Sequence, residues 1–128
     1  MSGTLDDVPV TLPALSRAAK LQKRASGVGF DWPAVDGPLD KVREELTELE
    51  EAVAAGDKIH AAEELGDLLF AVVNTARHLK IDPETALRAA NRKFETRFRY
   101  VEQHCQTPLK DADMEALDRL WEAAKRAD

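Results

Sequence analysis

EELTELEEAVAAGDKIHAAEELGD, residues 44–67, carries nine carboxylates and one lysine, with Gly56 near its middle. Upstream and through its first half, Leu39, Val42, Leu46, Leu49 and Val53 recur at alternating spacings of three and four. That period predicts a helix that begins at Pro38 and ends at Gly56, a residue suited to the left-handed position past a helix terminus. Asp57 is then a helix N-cap. Ala62, Leu65, Leu69, Val72, Ala76 and Leu79 form one apolar face of the helix that follows. Two helices joined at one glycine make a helical hairpin, so the expected fold is all-α.

The carboxylates follow the same geometry. Glu44, Glu45 and Glu48 fall with Lys41 on a flank beside the first apolar stripe. His60, Glu63, Glu64 and Asp67 share a flank beside the second. Each flank holds an i, i+3 acid pair, Glu45 with Glu48 and Glu64 with Asp67, and Gly56 lies midway between the pairs. An antiparallel closure sets Glu45 opposite Asp67 and Glu48 opposite Glu64. Like charges so close raise one another's pKa and destabilise the fold. Basic side chains could pair with them, or hard divalent cations could; all-oxygen ligands suit Mg²⁺ or Mn²⁺. The flanks carry too few lysines and arginines for the first remedy. Glu50 and Glu51 lie off the flank and read as solvated surface.

The rest of the chain also reads as helix. Pro13 starts a first helix over 13–26, in its first turn. Residues 26–38, SGVGFDWPAVDGP, hold three glycines and two prolines and read as loop, with Phe30 and Trp32 as packing anchors. Asp82 and Pro83 open a third long helix to about 104, TPLKDAD breaks it, and a short helix over 113–126 carries Met114, Leu117, Leu120 and Trp121. No segment alternates with period two. The 128 residues make one domain, residues 1–128, with 1–12 expected to be flexible. A net charge of −6 argues against a nucleic-acid binder, although metal ions can bring a polyanion to an acidic protein. Cys105 is the only cysteine, which excludes an intrachain disulfide and fits a reducing compartment. No apolar run reaches membrane-spanning length, and residues 1–20 lack the pattern of a signal peptide; the expected location is cytoplasmic, with no membrane partner.

E-E-x-x-E at 44–48 followed by E-x-x-D at 64–67 resembles the signature of the all-α nucleoside triphosphate pyrophosphohydrolases. GFDWP, AAEELGDLLFAVVNTARHLKIDPETALRAANRKFETRFRYVE and MEALDRLWEAAKR are similar to the MazG family, specifically its catalytic C-terminal domain. The resemblance covers about 16–126. Many of its members carry two such domains, and this chain has room for one. It implies Mg²⁺-dependent hydrolysis of NTPs and dNTPs, with broad specificity, to a monophosphate and pyrophosphate, as a house-cleaning activity on the nucleotide pool. By matching position it implies Glu45, Glu48, Glu64 and Asp67 as metal ligands, with Mn²⁺ as the alternative ion. Glu44 and Glu63 would lie near the triphosphate, and Glu44 or Glu48 would accept the water's proton.

Lys93 and Arg97, four apart on one helical face, can pair with surface acids or grip phosphate oxygens; the resemblance implies phosphate. Lys41 could touch phosphate or balance the acids. Trp121 and Lys125 could serve core packing, and the resemblance implies the nucleotide end of a pocket. His60 and His78 read as surface groups or neighbours of a ligand, since the site is oxygen-rich. A homodimer completing a four-helix core is expected, because the stripes expose much apolar surface for a small chain. Two alternatives stay open: a dUTP-specific or phosphoribosyl-ATP pyrophosphohydrolase, and a non-catalytic helical interaction module.

Overall fold

The computed structural model describes residues 3–128 and contains, among them, helices and no strand. The helices are α1 (Ala14–Gly27), α2 (Asp36–Ala54), α3 (Lys58–His78), α4 (Pro83–His104) and α5 (Met114–Arg126), with a 3₁₀ turn at Leu109–Asp111 before α5. The fold class is all-α, as the periodicity predicts. Two compact units divide the chain, one ending at Glu84 and the other running Thr85–Asp128.

Helix boundaries follow local chemistry. Pro13 is the residue before α1, with φ −53° and an extended ψ of 146°, and not part of the first turn. The second long helix starts two residues earlier than expected, at Asp36, so Pro38 sits inside its first turn. A proline is tolerated there because the first N–H groups of a helix lack intrahelical acceptors. Asp57 caps α3 by accepting from the backbone N–H of His60 at 3.0 Å. Asp82 accepts from the Glu84 N–H at 3.0 Å at the start of α4, and Asp113 from the Ala116 N–H at 2.8 Å at the start of α5.

The hairpin turn is set by Gly56, at φ +69°. Its N–H donates to the Val53 carbonyl and that of Asp57 to the Ala52 carbonyl. This bond pair closes a helix end when the residue after the cap is left-handed. The same pair recurs after α3, where Lys80 donates to Arg77 and Ile81 to Ala76, with Lys80 itself at φ +60°.

In the first unit α3 packs against both α2 and α1. The packed faces differ from the predicted ones. The buried residues of α2 are Pro38, Glu45 and Ala52, and those of α3 are Glu64, Ala71 and Val73. Leu46 and Val53 on α2, and Leu65, Leu69, Val72 and Leu79 on α3, are 46–65% exposed. Leu39, Val42 and Leu49 are half-buried, so the buried side of α2 overlaps its stripe but is centred on Pro38, Glu45 and Ala52. The acids Glu45, Glu48 and Glu64 come together between α2 and α3.

The loop before α2 is held by a charge, and of its two expected anchors only Trp32 packs, against Gly37. Phe30 is 83% exposed and Trp32 about half exposed. Asp31 accepts from Arg77 Nη2 at 2.6 Å and from Ser26 Oγ at 2.9 Å, and lies 2.9 Å from His78 Nε2. The hydrogen bond from Arg77 and those from His78 and Ser26 outweigh burial and hold Asp31 well below the usual carboxylate range. The Trp32 ring lies so close to Gly37 that any side chain at 37 would collide with it. Residues 3–12, expected to be flexible, form turns in which Val8 is buried and Asp7 pairs with Arg24 at 3.0 Å. In the second unit Val101 and Ala124 are buried, and Phe94 stacks on Phe98 with ring centroids 5.7 Å apart.

Candidate active site

The Gly56 turn brings the two acidic flanks of α2 and α3 together. Carboxylate oxygens of Glu45, Glu48 and Glu64 all lie within 4.8 Å of one another. No other described group of histidines, cysteines and acids has this geometry. Glu45 is 5% exposed and Glu64 7%. The cluster borders a pocket of about 500 Å³ lined also by Glu51, Asp57 and His60.

Two of the three acids are half-paired. Glu45 Oε1 lies 3.2 Å from Lys41 Nζ, and Glu64 Oε1 lies 2.9 Å from His60 Nε2. The second oxygen of each, Glu45 Oε2 and Glu64 Oε2, is buried with no hydrogen-bond partner. Buried carboxylate oxygens without a donor are costly, and a fold that keeps them has a reason.

The cluster divides its charge unevenly. Burial pushes the Glu45 carboxyl up, but the adjacent Glu64, Lys41 and Glu48 prevail and hold it below its ordinary value. The closeness of Glu64 and the charges of Glu45 and Glu64 push Glu48 up to about 7. Three acids this close resist ionising together without a cation, so Glu48 keeps its proton up to about neutral pH. The bonds to Glu45 and Glu44 raise Lys41, and the bond to Glu64 raises His60.

The remaining sequence-derived site residues are placed as follows. Asp67 is exposed and outside the trio, roughly 60° around α3 from Glu64. Glu63 and Glu44 are also exposed; Glu44 pairs with Lys41 at 3.3 Å. Lys41 thus lies between Glu44 and Glu45 and balances acid. On the second unit Lys93 is exposed. Arg97 grips Asp128 through Nε at 2.8 Å, and its guanidinium carbon sits 5.9 Å from the Trp121 ring centroid. Trp121 packs on Phe94 at 5.5 Å, and Lys125 pairs with Glu122 at 3.2 Å. The His60–Glu64 bond was legible only as an i, i+4 pair. The Asp31 cluster joins residues 46 and 47 positions apart and has no local signal.

The family model of the MazG nucleotide pyrophosphohydrolase domain matches residues 38–102, half of the chain. The nucleoside triphosphate pyrophosphohydrolase of Escherichia coli (strain K12) is 47% identical over 127 residues, covering 95% of this chain and 48% of that protein. The chain belongs to the MazG family. A MazG relative from Thermotoga maritima, named nucleoside triphosphate pyrophosphohydrolase/pyrophosphatase, is 44% identical over 130 residues, 99% of this chain and 50% of its own. The uncharacterized protein YabN of Bacillus subtilis is 47% identical over 131 residues, 99% of this chain and 27% of its own. The chain spans about half the length of the first two of these relatives. The matched MazG span contains all four expected carboxylate ligands together with Lys93 and Arg97; Trp121 and Lys125 lie beyond it. Among the described residues no helix is long and apolar enough to cross a membrane.

Proposed function

We propose that this chain hydrolyses nucleoside triphosphates to the monophosphate and pyrophosphate, using a divalent cation held by Glu45, Glu48 and Glu64 with Asp67 as a fourth ligand. The observation that carries this reading is the pair of buried, unpartnered oxygens on Glu45 and Glu64. They fit an oxygen-loving cation, Mg²⁺ or in its place Mn²⁺, because the donor set contains no thiolate and the only imidazole is already bonded to Glu64. Such an ion supplies charge neutralisation for phosphate oxygens and activates water. The names of the E. coli and T. maritima relatives support the same reaction for this chain.

The chain's own groups then have distinct roles. Glu45 and Glu64 are the buried ligands. As a ligand Glu48 would have to be deprotonated, since ligation requires the carboxylate. Glu44 stands exposed beside Lys41 and accepts the attacking water's proton, with Glu48 as the alternative acceptor. Lys41 and Glu63 border the triphosphate and its water shell. On the second unit, Lys93 and Arg97 bind phosphate, where a guanidinium offers a bidentate fork. Trp121 and Lys125 hold the nucleoside; an indole ring stacks on any base, which favours broad specificity for NTPs and dNTPs in a cytoplasmic house-cleaning role.

A second copy of the chain completes the core: the exposed stripes on α2 and α3 are the surface such a homodimer would bury. Pyrophosphate release, measured with and without Mg²⁺ across canonical, deoxy and damaged triphosphates, tests the activity. Turnover of a single nucleotide would favour a dUTP-specific or phosphoribosyl-ATP enzyme. Absence of release with every nucleotide would favour a non-catalytic module.

A further inference from the structure

Each buried ligand of the cluster is tied on one oxygen by a nitrogen-bearing side chain one helical turn before it. Lys41 holds Glu45 Oε1 and His60 holds Glu64 Oε1, both at i, i+4. These two side chains are about half exposed, whereas the acids they hold are less than a tenth exposed. In both, the oxygen left over is the buried one with no partner. In the bond that joins His60 to Glu64, at 2.9 Å, the imidazole Nε2–H donates and the carboxylate Oε1 accepts. The position of His60 is itself fixed: its backbone N–H caps onto Asp57, the residue that follows the Gly56 turn. Turn, cap, imidazole and carboxylate therefore form one chain of contacts ending at Glu64.

We infer that His60 is a positioning residue of the metal centre, which fixes the Glu64 carboxylate by its Oε1 so that Oε2 is presented to the cation. The inference rests on the proposed metal site. An ordinary surface pair would hold two exposed side chains and stabilise the helix by a few tenths of a kcal/mol. Here the acid is buried, and rotation about its last side-chain bond would exchange the two oxygens; the imidazole removes that freedom. Groups that orient a ligand in this way typically change metal affinity by 10–100-fold when removed.

The test is titration of the full chain with Mn²⁺ alone, by calorimetry and by loss of the free-ion EPR signal, for the wild type, His60→Ala, His60→Gln and Glu64→Gln. The expected result is Mn²⁺ binding about tenfold weaker in His60→Ala. In His60→Gln, whose amide N–H can still donate to Oε1, affinity should return to within about twofold of the wild type. A His60→Ala protein that melts earlier yet binds Mn²⁺ unchanged would overturn the inference, because the contact would then be structural only. Equal weakening in the alanine and glutamine variants would overturn it too, since charge or bulk rather than the hydrogen bond would matter. If the wild type binds Mn²⁺ and Glu64→Gln does not, the metal site stands whatever His60 does. If the wild type fails to bind, the site and the inference fall together.

Discussion

The hairpin of α2 and α3 has two faces, and their chemistry is reversed from that of an ordinary soluble helix pair. The face turned toward the partner helix holds Glu45, Glu48 and Glu64. The exposed face holds Leu46, Val53, Leu65, Leu69, Val72 and Leu79. A hairpin stabilised only by its own contacts would place leucines between the helices and glutamates in water. The inversion fits the proposed cation on the first face and the proposed second copy on the other. The acidic face costs stability until its charge is matched, and the apolar face contributes little until it is covered.

The largest effect comes from altering the acidic face. Glu48→Gln removes a proposed ligand and proton acceptor while leaving shape and helix propensity nearly unchanged. Pyrophosphate release should fall by about 10²-fold or more. The helical circular dichroism signal should persist, and the metal-free urea midpoint should hold or rise at pH 8, because one of three crowded charges is gone. Activity within a few-fold of wild type would remove Glu48 from the site.

The apolar face is tested by Leu69→Glu. Leu69 is 49% exposed, so in an isolated chain the change should be mild. If a second copy covers it, the substitution gives up about 1.5–3 kcal/mol of leucine burial and places a charge in the interface. Sedimentation should then show dimer for the wild type and monomer for the variant at micromolar concentration. A wild type that sediments as a monomer at every concentration would mean that another molecule covers this face, or none.

Both faces were written in the sequence, and what sequence could not supply was their rotation. The stripes at 39–53 and 62–79 were legible because a 3.6-residue period survives any tertiary context. Which side of each stripe meets the other helix depends on a few residues that permit close approach. Pro38, Ala52 and Ala71 are buried here, beside Glu45 and Glu64. The midpoint glycine and matched acid spacing set Glu48 opposite Glu64, and the structure brings these two together with Glu45, which was expected opposite Asp67. The spacing did not separate these three from Asp67, whose exposure depends on a rotation of only about 60°. The Asp31, Arg77 and His78 cluster had no signal, because its members are distant in sequence and common in type.

The turn that sets the two faces against each other offers a smaller, purely conformational test. Gly56 sits at φ +69°, and a side chain there would meet nothing within 4 Å. Gly56→Ala should therefore cost only the left-handed strain, about 1–2 kcal/mol, read as a lower urea midpoint. Lys80 occupies the equivalent position after α3 at φ +60° without being glycine. Lys80→Gly should raise the midpoint by at most about 1 kcal/mol, because glycine's greater freedom in the unfolded chain offsets part of the relief. If both substitutions left stability unchanged, the turn geometry would not be what holds the hairpin.

The smallest expected effect is a slope with pH, and its sign distinguishes the acidic face from ordinary salt-bridged surface. Glu48 is raised from an ordinary 4.5 to about 7. Between those values the folded chain keeps a proton that the unfolded chain has lost, so metal-free stability falls as pH rises through that window. His60, raised above its ordinary 6.5, adds to the fall above that point. Asp31 and Glu45 are lowered, so their contribution is complete above the usual carboxylate range and fades only as pH drops below it. The metal-free protein should accordingly be most stable near pH 4.5–5 and lose stability toward pH 8. Saturating Mg²⁺ should flatten or reverse the slope, since the cation binds the carboxylate that Glu48 becomes and so favours the fold more strongly at high pH. Urea midpoints at half-unit steps of pH, with and without Mg²⁺, would separate the cases. A slope indifferent to the cation would show that Glu48 titrates outside the metal's reach, leaving Glu45 and Glu64 alone to hold it.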